Sequence, residues 1–201
     1  MSLLVVTLLT VSVYMRTAAD ARGIWVSGGS ADFTARISAA SYAALPEGPM
    51  QLTSKMISPG GQFPNRETCD GQDMSPQLAW SGAPPATKSF ALILDDPDAP
   101  GGTFTHWILF NISPTLTQLP ESLDKNSPEL TVGSQGSNDF GKIGYGGPCP
   151  PPGKPHRYFF RLHALDTVLS LKPGQPRRAD IDRAIHGHVL AHAELLARYG
   201  R

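Results

Sequence analysis

The sequence predicts a mainly β fold with one helix at the C-terminal end, and three observations lead to this class. The 20 glycines and 19 prolines among 201 residues follow no repeat period, which favours many turns over a helical bundle. Several runs of β-branched and aromatic residues end at turn residues, as strands do. Near the C-terminus, apolar residues recur at close to 3.6-residue spacing. With 40% apolar residues, the chain can bury one sizeable core.

The first 49 residues are predicted to be an N-terminal extension of a domain that spans residues 50–201. Residues 3–13 form an apolar run as long as a signal-peptide core and too short to span a bilayer, and Ala19-Asp20-Ala21 fits a cleavage site. A signal peptide over residues 1–21 would send the protein to the periplasm, and residues 22–49 would be a linker. However, no Lys or Arg precedes the apolar run. Translation from Met50, with a cytoplasmic product, is the alternative.

Five segments of the domain carry strand patterns. They are residues 51–57, 75–80, 89–94, 103–112 and 158–165. The third and fourth are nearly continuous apolar runs, typical of strands buried on both faces. The fifth alternates polar and apolar residues after Phe159, which predicts one solvated face. These last three segments are predicted to form the centre of the sheet.

Residues 179–199 carry the helical pattern, after the stop signal Lys172-Pro173-Gly174. The apolar positions are Ile181, Ile185, Val189, Leu195, Leu196 and Tyr199. The helix should cover one end of the core. Gly187 inside it costs about 1 kcal/mol relative to Ala, so another backbone is expected to approach closely there. Residues 115–139, rich in Pro, Ser, Asn and Gly, are predicted to be a long surface loop.

Charge and cysteine content exclude some functions and leave others open. The 17 basic and 17 acidic residues balance, so no overall basic field attracts nucleic acid or an anionic membrane, and anion recognition must be local. Cys69 and Cys149 could form one disulfide or be two small buried hydrophobes. Neither belongs to a Cys-x-x-Cys pair, which argues against a metal site. No cofactor motif is present, and the oligomeric state stays open.

Two segments carry the strongest functional pattern, because each places polar groups in a proline-rich turn next to a β-prone run. The first is Asp95-Asp96-Pro97-Asp98-Ala99-Pro100, followed by His106 within an apolar run. Prolines restrict this turn, so it can aim carboxylates at a ligand. A solvated acidic turn and a buried structural histidine are the alternative interpretations.

The second segment is Gly146-Gly147-Pro148-Cys149-Pro150, which leads through two more prolines to His156. A rigid loop loses little entropy on binding, so His156 could donate to an anion, or it could simply begin the strand. Arg157 is a candidate ion-pair partner for one of the aspartates. His188 and His192 are four residues apart and could chelate a metal, but no third ligand is evident, and solvated or capping roles are expected for His186 and His192.

In their order and residues, these motifs resemble the phosphatidylethanolamine-binding family, and most closely its bacterial and archaeal branch of Raf-kinase-inhibitor-like proteins. The resemblance runs from about Met50 to Arg201 and includes Cys69-Asp70-Gly71, Trp80 and Gly187-His188-Val189-Leu190. It implies a β-sandwich of a larger antiparallel sheet against a smaller one, with helical structure at the C-terminal end. It also implies a small anion-binding cavity at the mouth of the sheet.

The resemblance assigns eight ligand-binding residues, which are Trp80, Asp96, Asp98, Pro100, His106, Pro148, His156 and Tyr158. It implies that the two histidines donate to a phosphate or phospho-headgroup, that Tyr158 adds a hydroxyl or an aromatic wall, and that Asp96 orients a histidine or accepts from an ammonium. Pro100 is expected to carry a cis bond, and Trp80 to line the wall. The proline run at 148–152 and the single histidine before Trp107 depart from eukaryotic members, so ligand preference does not transfer.

The expected function is therefore a non-catalytic module that binds a small anion and could act as an inhibitor or scaffold for a kinase or protease. A hydrolase that uses the pocket carboxylates and histidines as acid and base is the first alternative. A phospholipid carrier is the second, although acyl chains would need a larger apolar tunnel. The sequence carries no serine elbow, P-loop or zinc signature.

Overall fold

The computed structural model describes residues 49–201, which form nine strands, one α-helix and a short 3₁₀ turn. The predictions for a signal peptide, a linker and a start at Met50 concern residues that lie wholly or almost wholly outside this range. In chain order the elements are β1 Gln51–Thr53, the 3₁₀ turn Asn65–Glu67, β2 Leu78–Ser81, β3 Ser89–Asp96, β4 Phe104–Ile112, β5 Gln118–Leu119, β6 Glu129–Leu130, β7 Gly133–Gln135, β8 His156–Leu165, α1 Arg178–Ile185 and β9 Val189–Tyr199.

The strands form two antiparallel sheets, which confirms the predicted fold class. The larger sheet has the order β6-β7-β4-β3-β8-β9, and the smaller has the order β1-β2-β5. The three segments predicted to form the sheet centre are adjacent strands, with β3 between β4 and β8. The strand at residues 51–57 is shorter than predicted, and the one predicted at 75–80 begins at Leu78.

The centre of the larger sheet is buried on both faces. On one face, Leu92 and Leu94 of β3 pack in a cluster with Leu52 and Trp80 of the smaller sheet. On the other face, Ala91 and Ile93 pack in a second cluster with Ile181 and Ile185 of α1. The alternation along β3 explains its continuous apolar sequence, because every residue faces a packed layer. The fold therefore has three layers, which are the smaller sheet, the larger sheet and α1.

The predicted helix over residues 179–199 is wrong in its extent. Helix α1 ends at Ile185, Gly187 has φ +80°, and residues from Val189 onward form the edge strand β9. Strand β9 buries Ala193, Leu195, Ala197 and Tyr199, which is an alternation with period two. Strand β9 pairs along the ten-residue strand β8. The hydrogen bonds between the two strands outweigh the helix propensity of the Ala- and Leu-rich sequence of β9.

Gly187 is required for a different reason from the one predicted. Apart from its chain neighbours, no heavy atom of residues 49–201 lies within 4 Å of where its Cβ would be, so no backbone in this range approaches closely. Its left-handed conformation lets the chain leave the helix, and glycine adopts this conformation without steric cost.

Residues 115–139 are not one surface loop. They contain β5, β6 and β7, and they bury Leu119 and Gln135 completely. The Gln135 side chain accepts from the indole nitrogen of Trp107 at 2.9 Å and donates to two backbone carbonyls, so it organises the segment from inside. The strands here are only two or three residues long, which is too short for a strand pattern to show in the sequence. Within residues 49–201, no helix is long and apolar enough to cross a membrane.

Candidate functional site

The two segments singled out in the sequence meet at one edge of the larger sheet. Strand β3 ends at Asp96, and both of its neighbours are antiparallel to it, so β4 and β8 begin at the edge where β3 ends. Phe104 pairs with Asp96 across β3 and β4, and His156 is the first residue of β8. The topology therefore brings the aspartate-rich turn, the start of β4 and the end of the proline-rich segment together.

The Asp96 carboxylate and the His156 imidazole form a largely buried hydrogen bond at the centre of this edge. The Nδ1 atom of His156 lies 2.7 Å from Oδ2 of Asp96, and the side chains are 12% and 4% exposed. The other carboxylate oxygen of Asp96 accepts from the backbone N–H of Asp98 at 2.8 Å. Both oxygens of Asp96 are thus committed, and the nitrogen of His156 left for a ligand is Nε2.

His106 lies at a β-bulge. Leu94 pairs with Trp107 and Asp95 pairs with Thr105, so β4 contains one extra residue at this point, and bulges of this kind re-aim a side chain. The His106 ring contacts the Tyr158 ring at 5.3 Å between centroids. Its Nδ1 lies 2.8 Å from the carbonyl oxygen of Gly146, which can only accept, so Nδ1 carries the proton and Nε2 is left for a ligand. Burial lowers the pKa of His106, so the ring is neutral near pH 7.

A cavity of about 170 Å³ lies between these groups. Its polar lining comes from Asp96, His106 and His156, and the remainder is apolar. Phe104 and Phe140 stack edge to face at 4.7 Å between ring centroids, and both rings contact His106. The other lining residues come from the two proline-rich turns and are Ala99, Pro100, Cys149, Pro150 and Pro151.

The segment around Gly146 and Gly147 is held tightly behind the cavity. A Cβ on Gly146 would lie 2.7 Å from the Phe140 ring, so glycine is needed for Phe140 to pack there. The Gly146 N–H donates to the His106 carbonyl at 3.0 Å, and the Gly147 N–H donates to the Asp73 carboxylate at 2.6 Å. These contacts fix the carbonyl that orients His106.

Cys69 and Cys149 form a disulfide, which resolves the two interpretations left open by the sequence. Both cysteines are exposed, so the alternative of two buried hydrophobes is wrong. The bridge joins residues that are 80 positions apart, and Cys149 lines the cavity.

Asp98 shapes the turn and does not line the cavity. Its carboxylate accepts two hydrogen bonds from the Arg157 guanidinium, at 2.9 and 2.7 Å, and one from the Arg157 backbone N–H at 2.9 Å. These bonds from Arg157 lower the pKa of Asp98 to about 2. The predicted ion pair of Arg157 with an aspartate is thus present, and it joins the aspartate-rich turn to the start of β8.

Three other residues assigned from the resemblance lie away from the cavity surface. Trp80 belongs to β2 and packs on Phe90 at 5.3 Å between ring centroids, so it is part of the core between the sheets. Pro148 is buried, and its carbonyl accepts from the Cys69 N–H at 3.1 Å. Tyr158 lies behind His106 with its ring fully buried, and its hydroxyl has no hydrogen-bond partner among residues 49–201. Burial and the nearby Asp96 raise the pKa of Tyr158.

Pro100 lines the cavity, but the expectation of a cis bond there is wrong. Every peptide bond of the described residues is trans. The trans form is favoured before proline by about 0.5–1 kcal/mol.

The remaining histidines do not form a metal site. His188 follows α1 and its Nδ1 lies 2.8 Å from the Asp166 carboxylate, at an exposed position. His192 belongs to β9 and pairs across the strands with His163. His188 and His192 therefore do not share a helix face, and no group of three metal-ligating residues exists in the part of the chain that the structure describes.

Sequence reasoning missed the aromatic part of the site. Phe104 begins β4 and lies two residues before His106. Residues two apart in a strand lie on the same face, so this spacing could have indicated that Phe104 lies beside His106. Phe140 comes from the segment between β7 and β8, 34 residues further along the chain than His106, and no local pattern indicates that it reaches the cavity.

Comparisons with known proteins agree with this architecture. The family model described as phosphatidylethanolamine-binding protein matches residues 53–200. A UPF0098 protein of Methanothermobacter thermautotrophicus is 51% identical over 153 residues, which cover 76% of this chain and 99% of the relative. A UPF0098 protein of Aquifex aeolicus is 46% identical over 154 residues, covering 76% of this chain and 89% of the relative.

Two solved structures are similar in fold as well as in sequence. A phosphatidylethanolamine-binding protein homolog from Chlamydia trachomatis superposes with a TM-score of 0.69 at 39% identity, covering 76% of this chain and 98% of that one. YbcL of E. coli, described as a new member of the mammalian family, superposes with a TM-score of 0.72 at 38% identity, covering 77% and 99%. From the family match and these relatives together, we conclude that the chain belongs to the phosphatidylethanolamine-binding protein family.

Proposed function

We propose that the domain of residues 50–201 is a non-catalytic module that binds a small anion, phosphate or a phospho-headgroup, in the cavity beside His106 and His156. The observation that carries the proposal is that both imidazoles use Nδ1 for a protein acceptor and line the same small cavity. Each therefore has Nε2 left for one ligand. A protein partner, such as a kinase or protease held through the bound anion, would follow from this site.

The two histidines offer different chemistry to a ligand. Neutral His106 has its proton on Nδ1, so Nε2 accepts a hydrogen bond. His156 is next to the Asp96 carboxylate, and in its protonated form Nε2 donates. Phosphate near neutral pH carries both a P–OH group that can donate and oxygens that accept. Sulfate has no proton to donate to His106, so we expect the site to prefer phosphate.

The size and lining of the cavity argue against the two alternatives. A volume of about 170 Å³ suits a headgroup, whereas cavities for larger ligands span about 300–1,000 Å³, so acyl chains would remain outside. The Asp96–His156 pair could act as a general base, as a hydrolase requires. However, the cavity lining includes no serine or threonine hydroxyl, and Cys149 is in a disulfide, so water would have to be the nucleophile.

The test is a calorimetric titration of the protein with phosphate, phosphoethanolamine and sulfate between pH 5.5 and 8. We expect saturable phosphate binding, weaker sulfate binding, and a loss of about 10- to 100-fold in His156→Asn, as for one charge-assisted hydrogen bond. His188→Asn is the matched control, because His188 also pairs with an aspartate at 2.8 Å but lies outside the cavity. His106→Phe should remove the preference for phosphate over sulfate.

Several outcomes would contradict the proposal. If His156→Asn and His188→Asn bind phosphate equally well, the cavity is not the binding site. Steady turnover of phosphoesters by the wild type, with a greater loss in rate than in binding in His156→Asn, would favour the hydrolase. Extraction of labelled phospholipid from vesicles would favour the lipid carrier.

A further inference from the structure

We propose that the Cys69–Cys149 disulfide anchors one wall of the anion cavity, so that reduction by a dithiol weakens anion binding. This inference rests on the proposed function of the cavity. It concerns residues 149–152, which we call the proline wall. Cys149, Pro150 and Pro151 of this wall line the cavity.

The chain on either side of the proline wall is held by backbone hydrogen bonds. Before the wall, the Pro148 carbonyl accepts from the Cys69 N–H at 3.1 Å. After it, the Gly153 N–H donates to the Arg201 carbonyl at 3.3 Å. Within the wall itself, three consecutive prolines have no N–H to donate. No hydrogen bond from a backbone atom joins residues 149–152 to any other described residue.

The disulfide is thus the covalent anchor of the proline wall, and the Cys69 side is the fixed side. Next to Cys69, the Asp70 carboxylate accepts from the Tyr199 hydroxyl at 2.7 Å and pairs with the Arg201 guanidinium at 3.1 Å. When the bridge opens, Cys69 keeps these neighbours, whereas the proline wall keeps its packing contacts, the contact of Cys149 with Arg201 and the hydrogen bonds of the residues that flank it. The wall then moves more, and a ligand that needs it in one position binds less tightly.

The bridge is accessible to a reductant, and its two sulfurs differ as leaving groups. Both cysteines are exposed. The Arg201 Nη1 atom lies 4.0 Å from the Cys149 sulfur, and a nearby guanidinium favours the thiolate, so Cys149 is the better leaving group.

The exchange is balanced with a dithiol as reductant. One thiolate of the reductant attacks the Cys69 sulfur, and the electron pair of the Cys69–Cys149 bond leaves on Cys149. The second thiol of the reductant, as its thiolate, then attacks the reductant sulfur that is bonded to Cys69, and Cys69 leaves. Both cysteines take up a proton, and the reductant becomes a disulfide.

The experiment compares phosphate titrations of the oxidised protein and of the protein reduced with dithiothreitol, with two free thiols verified by counting. A second measurement, the ¹⁵N order parameter of the Cys149 amide, does not depend on phosphate. After reduction, we expect the dissociation constant for phosphate to be at least about 10-fold higher and the order parameter of the Cys149 amide to be lower. Both should return to their original values on reoxidation. The double variant Cys69→Ser, Cys149→Ser should match the reduced protein and should not respond to dithiothreitol.

An unchanged dissociation constant in a folded protein with two free thiols would overturn the inference. Unfolding of the whole reduced chain at 20 °C would also overturn it, because the bridge would then hold the fold and not one wall. If the oxidised protein binds no phosphate, the proposed function is wrong. The order parameter alone then tests whether the disulfide anchors the proline wall. An order parameter that does not change on reduction would then show that the bridge does not anchor the wall.

Discussion

His163 provides a quantitative prediction about stability in acid. It belongs to β8, and its cross-strand partner is His192, with 6.3 Å between the ring centroids. Its Nδ1 atom is buried and has no hydrogen-bond partner among residues 49–201. Burial is the main cause that lowers the pKa of His163 to about 4, and the positive charges of His192, Arg178 and Arg161 add to it against the opposing Asp182.

The direction and the size of the effect follow from this pKa. Between pH 6.5 and about 4, the unfolded chain protonates this histidine and the folded chain does not, so stability falls as the pH falls through this window. Each unit of difference corresponds to about 1.36 kcal/mol, so the loss attributable to His163 is about 3 kcal/mol at most. Solvent that reaches the partly exposed ring makes the measured loss smaller.

The assay is urea unfolding of the wild type and of His163→Leu at pH 7.5 and pH 4.5. Carboxylates titrate in both proteins, so the difference between the two acid losses isolates His163. We expect His163→Leu to lose about 1–2 kcal/mol less than the wild type between these pH values, because pH 4.5 lies above the folded pKa of about 4 and solvent reaches the ring. The variant should be no less stable at pH 7.5, because an unpaired buried nitrogen is gone. His186→Leu is the control, since His186 is exposed. Equal acid losses in the wild type and His163→Leu would refute the reasoning.

Two further predictions concern Asp95, in β3, and Gly147, in the segment that holds the carbonyl contacted by His106. Asp95→Asn should lower the free energy of unfolding by about 3 kcal/mol at pH 7, because this fully buried carboxylate pairs with two arginines, and a loss under about 1 kcal/mol in urea unfolding would contradict this. Gly147→Ala should cost about 1–3 kcal/mol and weaken phosphate binding, because its Cβ would lie 2.3 Å from the Glu67 carbonyl oxygen and displace the segment that orients His106. Gly101→Ala is the matched control in both assays, because no atom of the described residues beyond its chain neighbours lies within 4 Å of its Cβ. Equal behaviour of the two alanine variants would contradict the prediction.

Much of the sheet could be predicted because its central strands carry their burial in their own sequence. Strand β3 is apolar at every position because both of its faces are covered, and β8 alternates because its two faces differ. The aspartate-rich turn was also visible, since prolines restrict the backbone wherever they occur. In each case the signal lies within ten residues of chain.

Strand β9 could not be predicted in the same way. Its residues fit both a helical spacing and an alternation, and their intrinsic preference is for helix. The segment is a strand because it pairs with the backbone of β8. The left-handed conformation of Gly187 ends the helix before the segment begins. A periodic pattern can identify buried positions, but it cannot report which strand lies next to them.

The candidate site divides along the same line. The sequence by itself determined which residues could carry the chemistry, namely Asp96, His106 and His156, because their residue types and proline-rich surroundings are local properties. The tertiary structure alone decided the hydrogen bond between Asp96 and His156, the bulge at His106, the place of Phe140 and the disulfide of Cys149. These features join positions up to 80 residues apart, and such pairings depend on strand order and register, which no local pattern encodes.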